Sequence, residues 1–168
     1  MIKKILEEAL NTQISNEIYS SNLYLSMAAF YHELNLNGFA NWMRVQAQEE
    51  MTHALKLFDY LLDRGARPIL GRIEAPPHSW DNPLGGFIAT LEHERSITEQ
   101  INKLADLSIK EGDHATLAVL QWFIQEQVEE EATASEIVDR LRLAKDSPGG
   151  LFILDSEMRQ RKLEGQGV

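Results

Sequence analysis

Residues 49–53 read Glu49-Glu50-Met51-Thr52-His53, inside a run whose bulky positions recur at helical spacing: Phe39, Trp42, Gln46, Glu50, His53, Leu57, Tyr60 and Leu61. That spacing predicts an amphipathic helix with these side chains on one face. Glu50 and His53, three residues apart, share the face and can hold one metal ion between them. A carboxylate and an imidazole therefore interrupt a stripe that should be apolar. One such pair arises readily by chance, so the rest of the chain must decide its meaning.

Working toward the N-terminus, residues 2–34 carry Ile2, Ile5, Leu6, Ala9, Leu10, Ile14, Tyr24, Ala28 and Tyr31 at three- and four-residue spacing, without Pro or Gly. This predicts a long first helix, with Glu17 on its inward face and Tyr24 two turns further along. The second helix is expected over 38–64. The third, over 84–110, turns Phe87, Leu91, Glu94, Thr98, Ile101, Ala105 and Ser108 inward. The fourth, over 113–145 with Asp113 as its N-cap, turns in Leu117, Leu120, Phe123, Ile124, Gln127, Glu130, Ala134, Ile137, Val138 and Leu141. A short fifth helix is expected over 148–163, opening on Leu151-Phe152-Ile153-Leu154. Those four apolar residues need a cover, either the chain's own bundle or other subunits. Beyond Leu163 no ordered structure is expected.

The stretch 65–83 holds Pro68, Pro76, Pro77, Pro83 and Gly71 and is long for a helix connection. Extended, it could span ~60 Å at ~3.3 Å per residue, more than the ~40 Å of a 27-residue helix. It can cross the whole bundle, which would make the second and third helices parallel. The expected fold is all-α: one domain over 1–168, a four-helix bundle with a long crossover between helices 2 and 3 and a short fifth helix.

Composition narrows the function. With 26 acidic against 16 basic residues the net charge is -10, and no basic block appears, so nucleic acid is not an expected partner. The absence of cysteine removes disulfides, thiolate metal sites and iron-sulfur clusters. The first residues lack the apolar core of a signal peptide and no apolar run suits a membrane span, so a cytoplasmic placement is expected.

Glu17, Glu50, Glu94 and Glu130 all fall in the middle of their helices. Four buried carboxylates with no Lys or Arg on the central turns would repel each other and cost several kcal/mol each. Protonated carboxyls bonded to one another are one answer. Two divalent cations are the better one, with Glu50, and Glu94 or Glu130, bridging. Oxygen ligands with a single imidazole suit iron or manganese and tolerate zinc.

Three segments carry a family resemblance: Asn16-Glu17-Ile18-Tyr19-Ser20-Ser21, Ala47-Gln48-Glu49-Glu50-Met51-Thr52-His53-Ala54, and Phe123-Ile124-Gln125-Glu126-Gln127-Val128-Glu129-Glu130-Glu131, together with Ala75-Pro76-Pro77 in the long connection. The chain resembles the ferritins over nearly its whole length, more closely the bacterial and archaeal non-haem ferritins. The resemblance implies a hollow 24-subunit cage that oxidises Fe(II) with dioxygen or hydrogen peroxide and stores ferric oxide. It implies a first iron site at Glu17, Glu50 and His53, with Glu50 bridging to a second completed by Glu94 and Glu130. It also implies Gln127 as a neighbouring polar group, Tyr24 as a hydrogen-bonding or electron-donating tyrosine, and an outlying third site at Glu49, Glu126 and Glu129, fed by Glu130.

Departures from the pattern matter. Symmetric di-iron bundles carry two Glu-x-x-His motifs, whereas the fourth helix here offers Gln127 to Glu130. This speaks for a second iron that turns over into the cavity. Met51 stands where bacterioferritins place their haem-ligating methionine; it is read as a packing residue and haem is not expected, leaving a haem-binding bacterioferritin-like protein as one alternative. A passive metal-buffering cage is another, and a structural bundle with protonated carboxyls a third. Animal ferritins line a three-fold pore with acidic residues early in helix 4, where this chain has Asp113 and His114 and then Leu117 and Leu120, so the resemblance implies a main iron route that avoids an acidic three-fold pore or uses only its mouth. Trp42, Trp80 and Trp122 are read as packing residues, and His32, His78, His93 and His114 as surface residues.

Overall fold

The structure, a computed structural model, describes residues 1–145 and 147–163. Five helices account for its regular structure: α1 Lys4–Glu33, α2 Asn37–Asp63, α3 Pro83–Glu111, α4 His114–Ala144 and α5 Pro148–Met158. Local chemistry sets most of the ends. After α1 the chain reverses through Asn35, which takes a left-handed φ of 58° that asparagine tolerates better than most residues. Asn82 caps α3 by accepting from the amide of Gly85, with Pro83 in the first turn. Asp113 caps α4 through the amide of Thr116, as its place in the sequence predicts.

The 65–83 connection does cross the bundle. Its backbone climbs the outside of α1: the amide of Ile69 donates to Asn11 Oδ1 (2.7 Å), Ser26 Oγ donates to the carbonyl of Pro77, and Tyr31 Oη donates to that of Pro83 (2.8 Å). Contacts at residues 11, 26 and 31 in turn mean that α3 begins at the end of α1 where α2 also begins. Helices α2 and α3 therefore run parallel. Packing follows as two antiparallel pairs, α1 with α2 and α3 with α4, joined through α1 and α3.

The core is divided. One apolar cluster holds Met27, Tyr31, Phe39, Met43, Phe87 and Val138 with their neighbours; the other holds Leu6, Leu10, Leu57, Leu61, Ile101 and Phe123 with theirs. Between them runs a buried polar belt of Gln13, Glu17, Gln46, Glu50, His53, Glu94 and Gln127, drawn from all four long helices.

Helix α5 lies across the end of the bundle. Its Asp155 carboxylate accepts from the amides of Gly38 (2.7 Å) and Phe39 (3.1 Å), two free donors in the first turn of α2. A β-carbon at Gly38 would stand 1.6 Å from the Asp155 carbonyl oxygen, so only glycine admits this docking. The apolar quartet divides: Leu154 is buried and Leu151 half-buried against the bundle, while Phe152 and Ile153 are exposed.

Several expectations need correction. Helix α5 stops at Met158 rather than near 163, because the Asn41 side chain collects the carbonyls of Met158, Arg159 and Arg161 and turns the chain toward α2. Ile5 points outward, and Met51 is exposed rather than packed. The expectation for the chain after Leu163 lies outside the described residues.

Candidate metal centre

Glu17, Glu50 and His53 converge in the belt. One ligating atom from each lies within 4.8 Å of the others, the one such grouping of three or more among the described residues, and all three are at most 5% exposed. Each glutamate is steadied by a glutamine one turn earlier: Gln13 Nε2 donates to Glu17 Oε1 (2.8 Å) and Gln46 Nε2 to Glu50 Oε1 (2.9 Å). The second oxygen of Glu50 lies 3.4 Å from His53 Nδ1, and the imidazole is braced edge-on by Trp122 and Phe123. The second oxygen of Glu17 accepts from no amide, hydroxyl or ring donor of the protein, and its carboxyl has that of Glu50 as its hydrogen-bonding neighbour. A buried acceptor of that kind normally costs 1–3 kcal/mol or more. Its position beside a second carboxylate and an imidazole is what a metal ligand needs.

Glu94 and Glu130 do not join this trio. Glu94 is buried and turned to its own partners, accepting from Tyr24 Oη at one oxygen and from Gln127 Nε2 (3.1 Å) at the other. Gln127 thus occupies Glu94 rather than replacing the missing second histidine. Glu130 is half-buried and acts on the centre through its charge, raising the proton affinity of both Glu50 and Glu94.

Electrostatics mark the belt as short of positive charge. Burial, and then the charge of Glu50, push the Glu17 carboxyl up to about 8. Glu50 is raised to about 8 by burial and then by Glu130, with the hydrogen bond from Gln46 working the other way. Glu94 is driven well above the carboxylate range by burial and by Glu50, and Tyr24 is raised by burial and by Glu94. Three carboxyls that resist ionisation in one belt would be relieved together by a cation.

Beside the centre a cavity of about 470 Å³ opens, with His53, Glu49, Glu126, Glu129, Glu130 and Arg161 among its lining. The outlying acids expected from the sequence share this wall. Arg161, from the segment after α5, reaches across to pair with Glu49 and to donate to Gln46 Oε1 (2.7 Å). Sequence reading missed this cation, since nothing local signals a contact over more than a hundred residues. Gln13 was also missed, though its signal was available: Gln13 to Glu17 and Gln46 to Glu50 repeat one spacing of four. His93 is not a surface residue. It is half-buried, bonds to Ser20 Oγ (2.8 Å), packs edge-on to Tyr24, and is held neutral by burial, its basicity lowered to about 4.

An all-helical bundle with parallel second and third helices and a buried cluster of carboxylates around one imidazole defines a helical-bundle metal protein. The family model described as the ferritin-like domain matches residues 7–144. A bacterial non-heme ferritin of Bacteroides fragilis is 44% identical over 161 residues, covering 96% of this chain and 100% of its own. Another, from Escherichia coli O157:H7, is 40% identical over 158 residues, 94% of this chain and 96% of its own. Among solved structures, the open pore ferritin of Archaeoglobus fulgidus is 48% identical with a TM-score of 0.96, covering 96% of this chain and 100% of its own. A closed form engineered from the ferritin of that organism is 47% identical, also at 0.96, covering 97% and 99%. The chain belongs to the ferritin family of iron-storage proteins. No helix among the described residues is long and apolar enough to cross a membrane.

Proposed function

We propose that this ferritin is a ferroxidase, taking Fe(II) as substrate at the Glu17, Glu50 and His53 centre and passing Fe(III) into the cavity of an oligomeric cage. The observation that carries the reading is the buried oxygen of Glu17, met by no amide, hydroxyl or ring donor, beside Glu50 and His53. Glu17 and His53 would hold one Fe(II), and Glu50 would bridge to a second held by Glu94 and Glu130. Binding requires Glu17, Glu50 and Glu94 to give up their protons, since carboxylates and not carboxyls are the ligands. Each Fe(II) then gives one electron. The pair reduces dioxygen with two protons to hydrogen peroxide, or hydrogen peroxide with two protons to two waters.

Side chains around the centre have definable tasks in this scheme. Tyr24 and Gln127 grip Glu94 at separate oxygens, and both bonds must yield for it to turn toward a metal ion. That supports a second position held more loosely than the first, so that ferric product leaves rather than stays. Glu49, Glu126 and Glu129, on the wall of the adjoining cavity, offer the outlying third site and a route out past Glu130. Tyr24 is placed to steady the centre or to supply an electron.

The exposed apolar residues Leu25, Leu55, Leu62, Phe152 and Ile153 support burial against further copies, in keeping with a cage of 24 subunits in the cytoplasm. Dioxygen consumption on adding limiting Fe(II) to metal-free protein tests the reading. Rapid uptake saturating near two irons per chain, and lost in Glu50→Ala, is the expected result. Uptake no faster than in buffer would leave a passive metal-buffering cage.

A further inference from the structure

The segment after α5 reaches the centre through two hydrogen bonds. Arg161 Nη2 donates to Gln46 Oε1 at 2.7 Å, and Gln46 Nε2 donates to Glu50 Oε1 at 2.9 Å. Gln46 is fully buried and Glu50 nearly so, so no bulk water substitutes for either partner. An amide presents an acceptor at one end and a donor at the other. With its oxygen on a guanidinium, its nitrogen must face the carboxylate. Turned over, with Glu50 ionised as metal binding requires, the oxygen would meet the carboxylate head-on and the NH2 would meet Arg161, leaving both charges badly served.

Arg161 itself sits in a built cradle. Its guanidinium lies 4.0 Å from the centroid of the Trp42 ring, Nη1 reaches the Trp42 carbonyl (3.4 Å), and Nη2 also pairs with Glu49. A planar fork that stacks on an aromatic while donating to three acceptors uses properties lysine shares only in part. Asn41, at the same end of α2, holds the backbone leading to it.

We propose that Arg161 is a positioning residue of the metal centre: acting through Gln46, it fixes the donor that faces Glu50, and so ties docking of the C-terminal segment to the centre's affinity for divalent cations. The inference rests on the reading that Glu17, Glu50 and His53 hold metal. Groups that orient a ligand without touching the metal typically contribute 10–100-fold in affinity. The ion pair with Glu49 places the same side chain on the cavity wall, so a cation bound there would compete with Arg161.

Co(II) titration of the metal-free full-length assembly tests this, followed by calorimetry and by the visible absorption of the bound ion. Wild type is compared with Arg161→Gln, Arg161→Lys, Gln46→Met and the Arg161→Gln/Gln46→Met double variant, with Glu50→Ala as the control for the centre. Arg161→Gln is expected to weaken the tightest Co(II) class by roughly tenfold and to change its spectrum. Arg161→Lys should recover part of the loss, because an ammonium still donates to Gln46 Oε1. In the Gln46→Met background, replacing Arg161 should cost nothing further, which is the signature of action through the amide. Equal losses in both backgrounds, or no loss in Arg161→Gln while Glu50→Ala abolishes the class, would overturn the proposal and leave the centre standing. Wild type and Glu50→Ala binding Co(II) alike would overturn both.

Discussion

Replacing Glu17 with glutamine should stabilise the metal-free protein and weaken the metal-loaded one. In the folded chain burial and Glu50 raise this carboxyl from 4.5 to about 8, so near pH 7 the folded state keeps a proton that the unfolded chain has already released. The unfolded state gains the ionisation free energy. Stability tied to this group is therefore complete below pH 4.5 and declines as pH rises from 4.5 toward 8. Over the ~2.5 units up to pH 7, at ~1.4 kcal/mol each, the decline is about 3 kcal/mol, part of it shared with Glu50. Glutamine has no proton to lose and still accepts from Gln13. Glu17→Gln should then be more stable than wild type by up to about 3 kcal/mol near pH 7, or roughly 6–12 °C in Tm for a chain of this size.

Near pH 5 the advantage should almost vanish, since little of the window has been crossed. Saturating Co(II) should reverse the order. Wild type gains about 4 kcal/mol when free metal is ~1,000 times Kd, whereas the variant offers a neutral amide at the position of the second Glu17 oxygen and gains much less. Thermal melts followed by circular dichroism, in chelator at both pH values and then with Co(II), measure all three comparisons. A variant less stable than wild type in chelator near pH 7, or one that gains as much from metal, would refute the reasoning.

Three further substitutions probe the rest of the framework. Gly38→Ala forces a carbon into the Asp155 carbonyl and should undock α5, with hydrogen exchange at the Gly38 and Phe39 amides rising by at least tenfold, about 1.4 kcal/mol of protection. Asp113→Ala removes both the α4 cap and the 2.8 Å pair with Arg64, costing about 1–2 kcal/mol in denaturant melts. Arg64 holds the Asp113 carboxyl down at about 2, so that cost should be present above pH 3.8 and fade as pH falls toward 2. Tyr24→Phe removes one of the two bonds that must yield before Glu94 can turn to a metal ion, and should tighten the weaker Co(II) class of a titration several-fold, at roughly 1 kcal/mol for the bond lost.

The long helices, their inward faces and the crossover were legible because each rests on a local rule: period, caps, and a Pro-rich connection longer than a turn requires. Glu17, Glu50 and His53 were legible as interruptions of apolar stripes. Periodicity assigns a residue to a face but does not say where its side chain ends. Glu94 lies on the expected face yet is spoken for by Tyr24 and Gln127, and Glu130 stands at the margin. Arg161 was invisible because its partners, Glu49 and Gln46, lie 112 and 115 positions away. His93 was misjudged for a related reason: a flank residue is buried or exposed according to its neighbour, and here Tyr19 and Tyr24 close over it.

The divided core explains why such a centre persists in a stable fold. Two apolar clusters, one at each end of the bundle, hold the helices together, and the belt between them contributes buried carboxyls that oppose folding once they ionise. Were the belt apolar, the chain would gain stability and lose a buried region where a cation improves its surroundings. The glutamines limit the cost without removing it. Gln13 and Gln46 each satisfy one oxygen of a glutamate, and at Glu17 the second oxygen is left to whatever arrives. The centre is thus rigid in its supports and unsatisfied at its focus, and that combination favours taking up a metal ion over merely surviving without one.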